Sequence, residues 1–187
     1  MPKTILITGC SSGIGHSTAT FFASNGWNVI ATMRTLEKET QLNLIPNILV
    51  VKLDVTNIDS IKKAITDGVA RFGRIDAIVN NAGFAVAGPF EPATTEQIKK
   101  QFETNVFGLM NCIREILPAF RSQKNGVIIN IASMGGRISF PYFSLYHSTK
   151  WAVDGFCESL QYELASFGIK VKIIEPGAIK QIFILGR

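Results

Sequence analysis

The sequence predicts an α/β fold, a doubly wound parallel sheet with helices on both faces. Short all-apolar runs recur along the chain without polar alternation, as in strands buried on both sides. Between them lie amphipathic stretches at helical spacing, and small, polar or turn-forming residues follow each run. Strand and helix alternating in this way require parallel strands joined by right-handed crossovers.

Each element has its own signal. Residues 3–8 read as a buried strand, and residues 13–25 as a helix closed by Gly26. Val29-Ile30-Ala31 is the second strand and Ile48–Leu53 the third. Thr56 and Asp59 have capping-box spacing. After them Ile61, Ala64, Ile65, Val69 and Phe72 fall on one helical face, and Gly73 ends the helix. Ala77–Asn80 is a fourth strand. Thr94 with Gln97 forms a second capping box, opening one long helix to about Phe120. Gly126–Ile131 is a fifth strand, about Tyr146–Ser166 a helix, and Ile169–Glu175 a sixth strand. The expected architecture is a Rossmann-like sheet in a single domain over residues 1–187.

Composition excludes several classes of function. Hydrophobic residues make up 47% and charged residues 18%, which suits a packed core and not a disordered chain. The net charge of +5 is spread over both halves with no Lys/Arg run, against a nucleic-acid partner. Cys10, Cys112 and Cys157 are odd in number and far apart, and they read as reduced packing residues of a cytoplasmic protein. With only His16 and His147 as histidines and no ligand-spaced cysteines, no metal site is expected. The apolar run ending at Gly9 is too short for a signal peptide, and nothing approaches the ~20 residues of a membrane span.

Ligands of such sheets bind beyond the C-terminal ends of the strands, so the residues there carry the chemistry. After the first strand, Gly9-Cys10-Ser11-Ser12-Gly13-Ile14-Gly15 lets the backbone turn sharply and approach a ligand, and the next helix offers free N–H groups suited to a phosphate. The spacing is G-x-x-x-G-x-G, and a plain tight turn fits it too. After the second strand stands Arg34, with no acid until Glu37; its guanidinium suits a 2′-phosphate, or plain solvent. Asp54 follows the third strand and could accept from an adenine amino group, or serve as a turn acid. Asn81, beside Asn80, follows the fourth strand; Ser133, then Tyr146 and Lys150, the fifth; Pro176 and Gly177 the sixth.

Taken together, these motifs resemble the classical short-chain dehydrogenases/reductases over the chain to about Ile179. The resemblance rests on Thr8-Gly9-Cys10-Ser11-Ser12-Gly13-Ile14-Gly15, Asp54-Val55, Asn80-Asn81-Ala82-Gly83, Asn105 in Thr-Asn-Val-Phe-Gly, Ser133, Tyr146-x-x-x-Lys150 and Pro176-Gly177. Ser133 precedes Tyr146 by the family's interval. The glycine segment and Ala-Thr-Met-Arg look most like the hydroxysteroid- and retinol-dehydrogenase-like members. The resemblance implies catalytic roles for Asn105, Ser133, Tyr146 and Lys150. It implies cofactor binding by Gly9, Ser11, Ser12, Gly13, Ile14, Gly15, Arg34, Asp54, Val55, Asn81, Ala82, Gly83, Tyr146, Lys150, Pro176 and Gly177. With Arg34 and Met33 where an NAD-selective relative would carry an acid, NADP(H) is expected over NAD(H).

The residues themselves suggest the chemistry. Tyr146 and Lys150 are four apart, on one helical face. A tyrosine of pKa ~10 needs a positive neighbour to act as a base near neutrality. Lys150 is expected to lower it, with Tyr146 as acid/base and Ser133 donating to the substrate oxygen. By resemblance, Lys150 holds the nicotinamide ribose, and Asn105 distorts its helix and takes part in a proton relay. The expected reaction interconverts a secondary alcohol and a ketone; the alternative is a weak or inactive derivative that keeps nucleotide binding or a protein-interaction role. By resemblance a homodimer or homotetramer is expected of the full-length chain, with Trp151, Phe156 and Leu160 supplying apolar surface, some of it facing this chain's own sheet. Relatives continue past Pro-Gly with a substrate-covering helix and a further strand, so the chain ending at Arg187 reads as incomplete at its C-terminus.

Overall fold

The computed structural model describes residues 1–37 and 39–178. What the sequence predicts beyond Ala178 lies outside them. Six strands form one parallel sheet: β1 (Thr4–Ile7), β2 (Asn28–Met33), β3 (Ile48–Lys52), β4 (Ala77–Asn80), β5 (Gly126–Ile131) and β6 (Ile169–Ile174). Their order is β3-β2-β1-β4-β5-β6, every pair parallel. Successive strands step outward from β1 to β3, then return to the other side of β1. The reversal opens a crevice between the ends of β1 and β4.

The strands divide their side chains by the period of two. Leu6, Ile30, Ile78 and Ile128 point to one face, with α2 (Ile58–Phe72), α4 (Gly108–Gln123) and α5 (Ser144–Ala165). Ile5, Ile7, Val29, Ala31, Ala77 and Val79 point to the other, where α1 (Gly13–Ser24) contributes Ala19 and Ala23. Toward β5 this second face is thinner: Val127, Ile129 and Ile131 are only partly buried. The three cysteines are buried and unpaired, as predicted, and burial pushes each thiol up to about 12.

One local reading needs correction. The helix α2 is capped by Asn57, whose side chain accepts from the Ser60 N–H at 2.9 Å, and not by Thr56. Asp54 has already claimed Thr56: its Oδ1 accepts from both the Thr56 N–H and hydroxyl. Thr94 and Gln97 make the predicted capping box on α3 (Thr95–Phe102), and the helical stretch runs on without a break through a π-helical turn at Glu103–Phe107, which contains Asn105, into α4. Of Trp151, Phe156 and Leu160, Leu160 lies in the core of its own chain, while Trp151 is half exposed.

Ile128 sits at the centre of this packing, fully buried between β4 and β6. Truncating such a residue removes its transfer energy and leaves a cavity. Ile128→Ala should lower unfolding free energy by about 2–5 kcal/mol in urea titration. A loss under about 1 kcal/mol would mean the site collapses without cost.

Candidate active site

A cleft of about 760 Å³ runs across the C-terminal ends of the strands. Its floor is the crevice between β1 and β4. The two turns there are bound together. The Thr8 hydroxyl oxygen accepts from the N–H groups of Asn81 and Ala82, both at 3.0 Å. The Asn81 amide donates back to the carbonyls of Thr8 and Gly9, at 2.9 and 3.1 Å. Gly9 takes a positive φ of 73°, and a Cβ on Gly15 would run into the Gly9 carbonyl and the Asn81 amide. A side chain at either position would break the crossing of turn, helix and asparagine.

The N-terminus of α1 meets the cleft here. Ser12 stands at its cap in extended conformation, and its side chain makes no capping hydrogen bond. The first-turn N–H groups are left for a ligand, and Ser11, Ser12 and Ile14 line the cleft. Gly13 and Gly15 are outside the lining and act through the backbone turn. Farther along stand Arg34, exposed at the end of β2, and Asp54 and Val55 after β3. Arg34 makes no ion pair among the described residues. Ala82 and Gly83 continue the wall.

The opposite end holds Ser133, Tyr146, Lys150, Pro176 and Gly177. The loop after β5 is stitched to the end of β6: the Ala132 N–H donates to the Ile174 carbonyl and the Met134 N–H to the Pro176 carbonyl. Tyr146 and Lys150 enter from the first two turns of α5. Lys150 is buried, and its ammonium donates to the Ile131 carbonyl at 2.8 Å. An ammonium has three donors, and this is its one protein acceptor among the described residues. Burial lowers its pKa to about 8, partly opposed by Asp154 one turn along the helix.

Tyr146 differs from the prediction. Its pKa is raised and not lowered, because burial outweighs a hydrogen bond with Ser133. Lys150 lies 5.6 Å from the Tyr146 ring centre and is tied to Ile131. The protein alone therefore keeps Tyr146 as a neutral phenol. Asn105 is buried in the π-helical turn and is not in the cleft lining. Its Oδ1 accepts from the Phe84 N–H, and its Nδ2 donates to the Phe84 carbonyl and the Thr149 hydroxyl. It clamps the loop after β4 onto α5.

Sequence reasoning missed several supports. Gln101, one turn before Asn105, bonds the Val86 N–H and the Phe84 carbonyl; the helical interval from Asn105 was its only signal. Arg137 binds Glu175 at 2.6 Å and Glu158 at 2.9 Å, and lies 3.7 Å from Asp154, so one guanidinium joins the loop after β5, α5 and the end of β6. Asp154 is buried with neither oxygen hydrogen-bonded among the described residues. Burial pushes its carboxyl up to about 6, and Glu175 adds to this against Arg137 and Lys150.

The residues present fit a nicotinamide dinucleotide. A close-approach glycine turn and an uncapped helix N-terminus stand at one end, and a buried ammonium short of acceptors at the other. Among the described residues no cluster could hold a metal ion, and no helix is long and apolar enough to cross a membrane.

Known proteins are similar to this chain in sequence and fold. An oxidoreductase of Schizosaccharomyces pombe is 50% identical over 145 residues, covering 78% of this chain and 61% of the relative. The structure of ElxO with NADP bound superposes with a TM-score of 0.91 at 37% identity, covering 97% of this chain and 76% of that one. A 3-ketoacyl-(acyl-carrier-protein) reductase from Brucella melitensis, complexed with NADH, gives 0.93 at 28% identity, covering 97% and 78%. The chain thus spans about three fifths of the length of its curated relative. Residues 3–183 match the profile of the short chain dehydrogenases, and the chain belongs to that family.

Proposed function

We propose that this chain is an NADP(H)-dependent oxidoreductase that interconverts a secondary alcohol and a ketone. The observation that carries the reading is the meeting of Ser133, Tyr146 and Lys150 in the same cleft as the glycine turn and the open end of α1. A bound nicotinamide dinucleotide would supply or accept the hydride. Gly9, Ser11, Ser12, Gly13, Ile14 and Gly15 would hold its phosphates, Arg34 the 2′-phosphate, and Asp54 and Val55 the adenine. Asn81, Ala82 and Gly83 would line its middle, and Pro176, Gly177 and Lys150 its nicotinamide end.

The protein's part in the reaction is proton transfer and orientation. The neutral phenol of Tyr146 suits proton donation to a ketone oxygen gaining charge. Ser133 donates a second hydrogen bond to that oxygen, stabilising the charge as it grows. In oxidation Tyr146 must first lose its proton, and the Lys150 ammonium nearby favours the phenolate. Asn105 serves by holding Phe84 and Thr149, and through them the relative placement of the β4 loop and α5.

Three measurements test this. Tyr146→Phe should abolish NADPH-dependent reduction of a ketone panel, acetophenone and cyclohexanone included, while NADPH affinity by fluorescence titration stays within a few-fold. Near wild-type turnover by that variant would remove Tyr146 from the acid/base role.

Arg34→Ala should weaken NADPH about 10–150-fold, the worth of a lost charge-assisted pair, and leave NADH nearly unchanged. Equal losses for both cofactors would sink the phosphate assignment.

The third concerns pH. Lys150 loses its proton as pH rises through about 8, and a bound anionic nucleotide favours the protonated form. NADPH affinity should therefore hold below pH 7 and fall between pH 7.5 and 9.5. Lys150→Met should bind more weakly and lose that slope; a wild-type affinity flat across the range would contradict the assignment.

A further inference from the structure

His147 follows Tyr146 directly and is buried on the inner side of α5, outside the cleft lining. Both its ring nitrogens are engaged by the loop between β5 and α5. The Phe140 N–H donates to Nε2 at 2.8 Å, so that nitrogen carries no proton. The neutral ring then has its proton on Nδ1, which lies 2.7 Å from the Gly135 carbonyl and donates to it. Phe140 and Phe143 flank the ring, with centroids at 5.5 and 6.2 Å.

Gly135 links this histidine to the site. Its N–H donates to the Ser133 Oγ at 3.0 Å. A Cβ on Gly135 would lie 2.7 Å from the imidazole Nδ1 and 3.4 Å from the Ser133 Oγ, so ring, glycine and serine are packed in direct succession. A hydroxyl that accepts on its oxygen from a fixed N–H keeps its own proton for another partner. Here that proton is free for the cleft, which Ser133 lines together with Tyr146.

We infer that His147 is a positioning residue for Ser133. Its neutral, Nδ1-protonated imidazole fixes Gly135, and the Gly135 N–H in turn fixes the Ser133 oxygen so that the Ser133 proton is aimed at the reacting oxygen. The inference rests on the dehydrogenase reading of the site and adds to it a required tautomer on a residue that touches neither substrate nor cofactor. The same ring, through Phe140, sets the course of the 137–143 segment beside Tyr146.

The test has one arm that needs no turnover. The chain has two histidines, so a 15N-histidine-labelled His16→Asn variant reports His147 alone. Its 15N shifts should show a neutral ring protonated at Nδ1 at pH 7.5. An Nε2-protonated ring, or a doubly protonated one, would overturn the inference whatever the activity. In the kinetic arm, His147→Phe keeps a planar ring and removes both hydrogen bonds. Its kcat for NADPH-dependent reduction of acetophenone or cyclohexanone should fall about 10–100-fold with KM for NADPH unchanged. His147→Gln keeps one donor and one acceptor and should recover most of that loss. Wild-type kcat in His147→Phe, or a loss carried by KM for NADPH, would refute the positioning role. Should His147→Phe fail to fold, the tautomer and the Gln variant decide. Failure of the dehydrogenase reading is separately visible, because Tyr146→Phe would then also turn over normally.

Discussion

Two turns, after β1 and after β4, are held against each other, and the cleft exists because of that contact. Thr8 and Asn81 make it, with four hydrogen bonds between them and the neighbouring backbone. The contact satisfies backbone groups that would otherwise be stranded where two parallel strands end. It also fixes where α1 begins, since Gly15 must pass over the Gly9 carbonyl and the Asn81 amide without a Cβ. The glycine spacing G-x-x-x-G-x-G is thus a steric demand of one crossing. The helix end there stays open to a ligand, because the Ser12 side chain makes no capping hydrogen bond.

A second layer of polar contacts sets the end of the cleft that holds Ser133, Tyr146 and Lys150 at fixed distance from this crossing. Asn105 and Gln101 both reach the backbone of Phe84, one helical turn apart. Asn105 also reaches Thr149, the residue before Lys150. The π-helical turn at Glu103–Phe107 is what lets one side chain in a continuous helical stretch span both neighbours. Arg137 does comparable work on the other side, tying the Ser133 loop to α5 and β6. Ser133, Tyr146 and Lys150 therefore sit on a frame of side-chain hydrogen bonds, part-buried around Phe84 and exposed at Arg137.

Much of the fold was legible because periodicity and burial obey the same physics. Leu6, Ile30, Ile78 and Ile128 could be placed on buried strands from apolar runs alone, and Thr94 with Gln97 predicted its capping box correctly. Thr56 shows the limit. Its spacing to Asp59 was right for a box, but Asp54, two residues earlier, takes the Thr56 N–H that Asp59 would need, and spacing cannot rank two acceptors. The site was legible as a set of strand-end residues, which the cleft lining gathers from Gly9 to Gly177. Its supports were not. Gln101, Arg137 and His147 act through partners 15, 38 and 12 residues away, and such pairings are invisible until the chain is folded.

The electrostatics of Tyr146 follow from where the charges were put. A lysine within reach of a phenol should depress its pKa, yet burial wins here, because the Lys150 ammonium is itself desolvated and held by the Ile131 carbonyl. Burial thus disfavours both the phenolate and the ammonium. Asp154 belongs to the same balance: it is buried, without hydrogen bonds among the described residues, one turn from Lys150 and 3.7 Å from Arg137. Apolar residues in place of such groups would often be as stable or more so. A fold that retains them on one helix gives up stability to hold charge beside a cleft, and that cost is repaid only where a ligand supplies the missing partners. Lys150, with three donors and one protein acceptor, is the residue where the deficit is plainest. The same cleft that leaves it short of acceptors begins, at its far end, with N–H groups of α1 that are short of them too. Both ends call for one elongated, oxygen-rich anion, and the crossing of Thr8 and Asn81 sets the distance it must span.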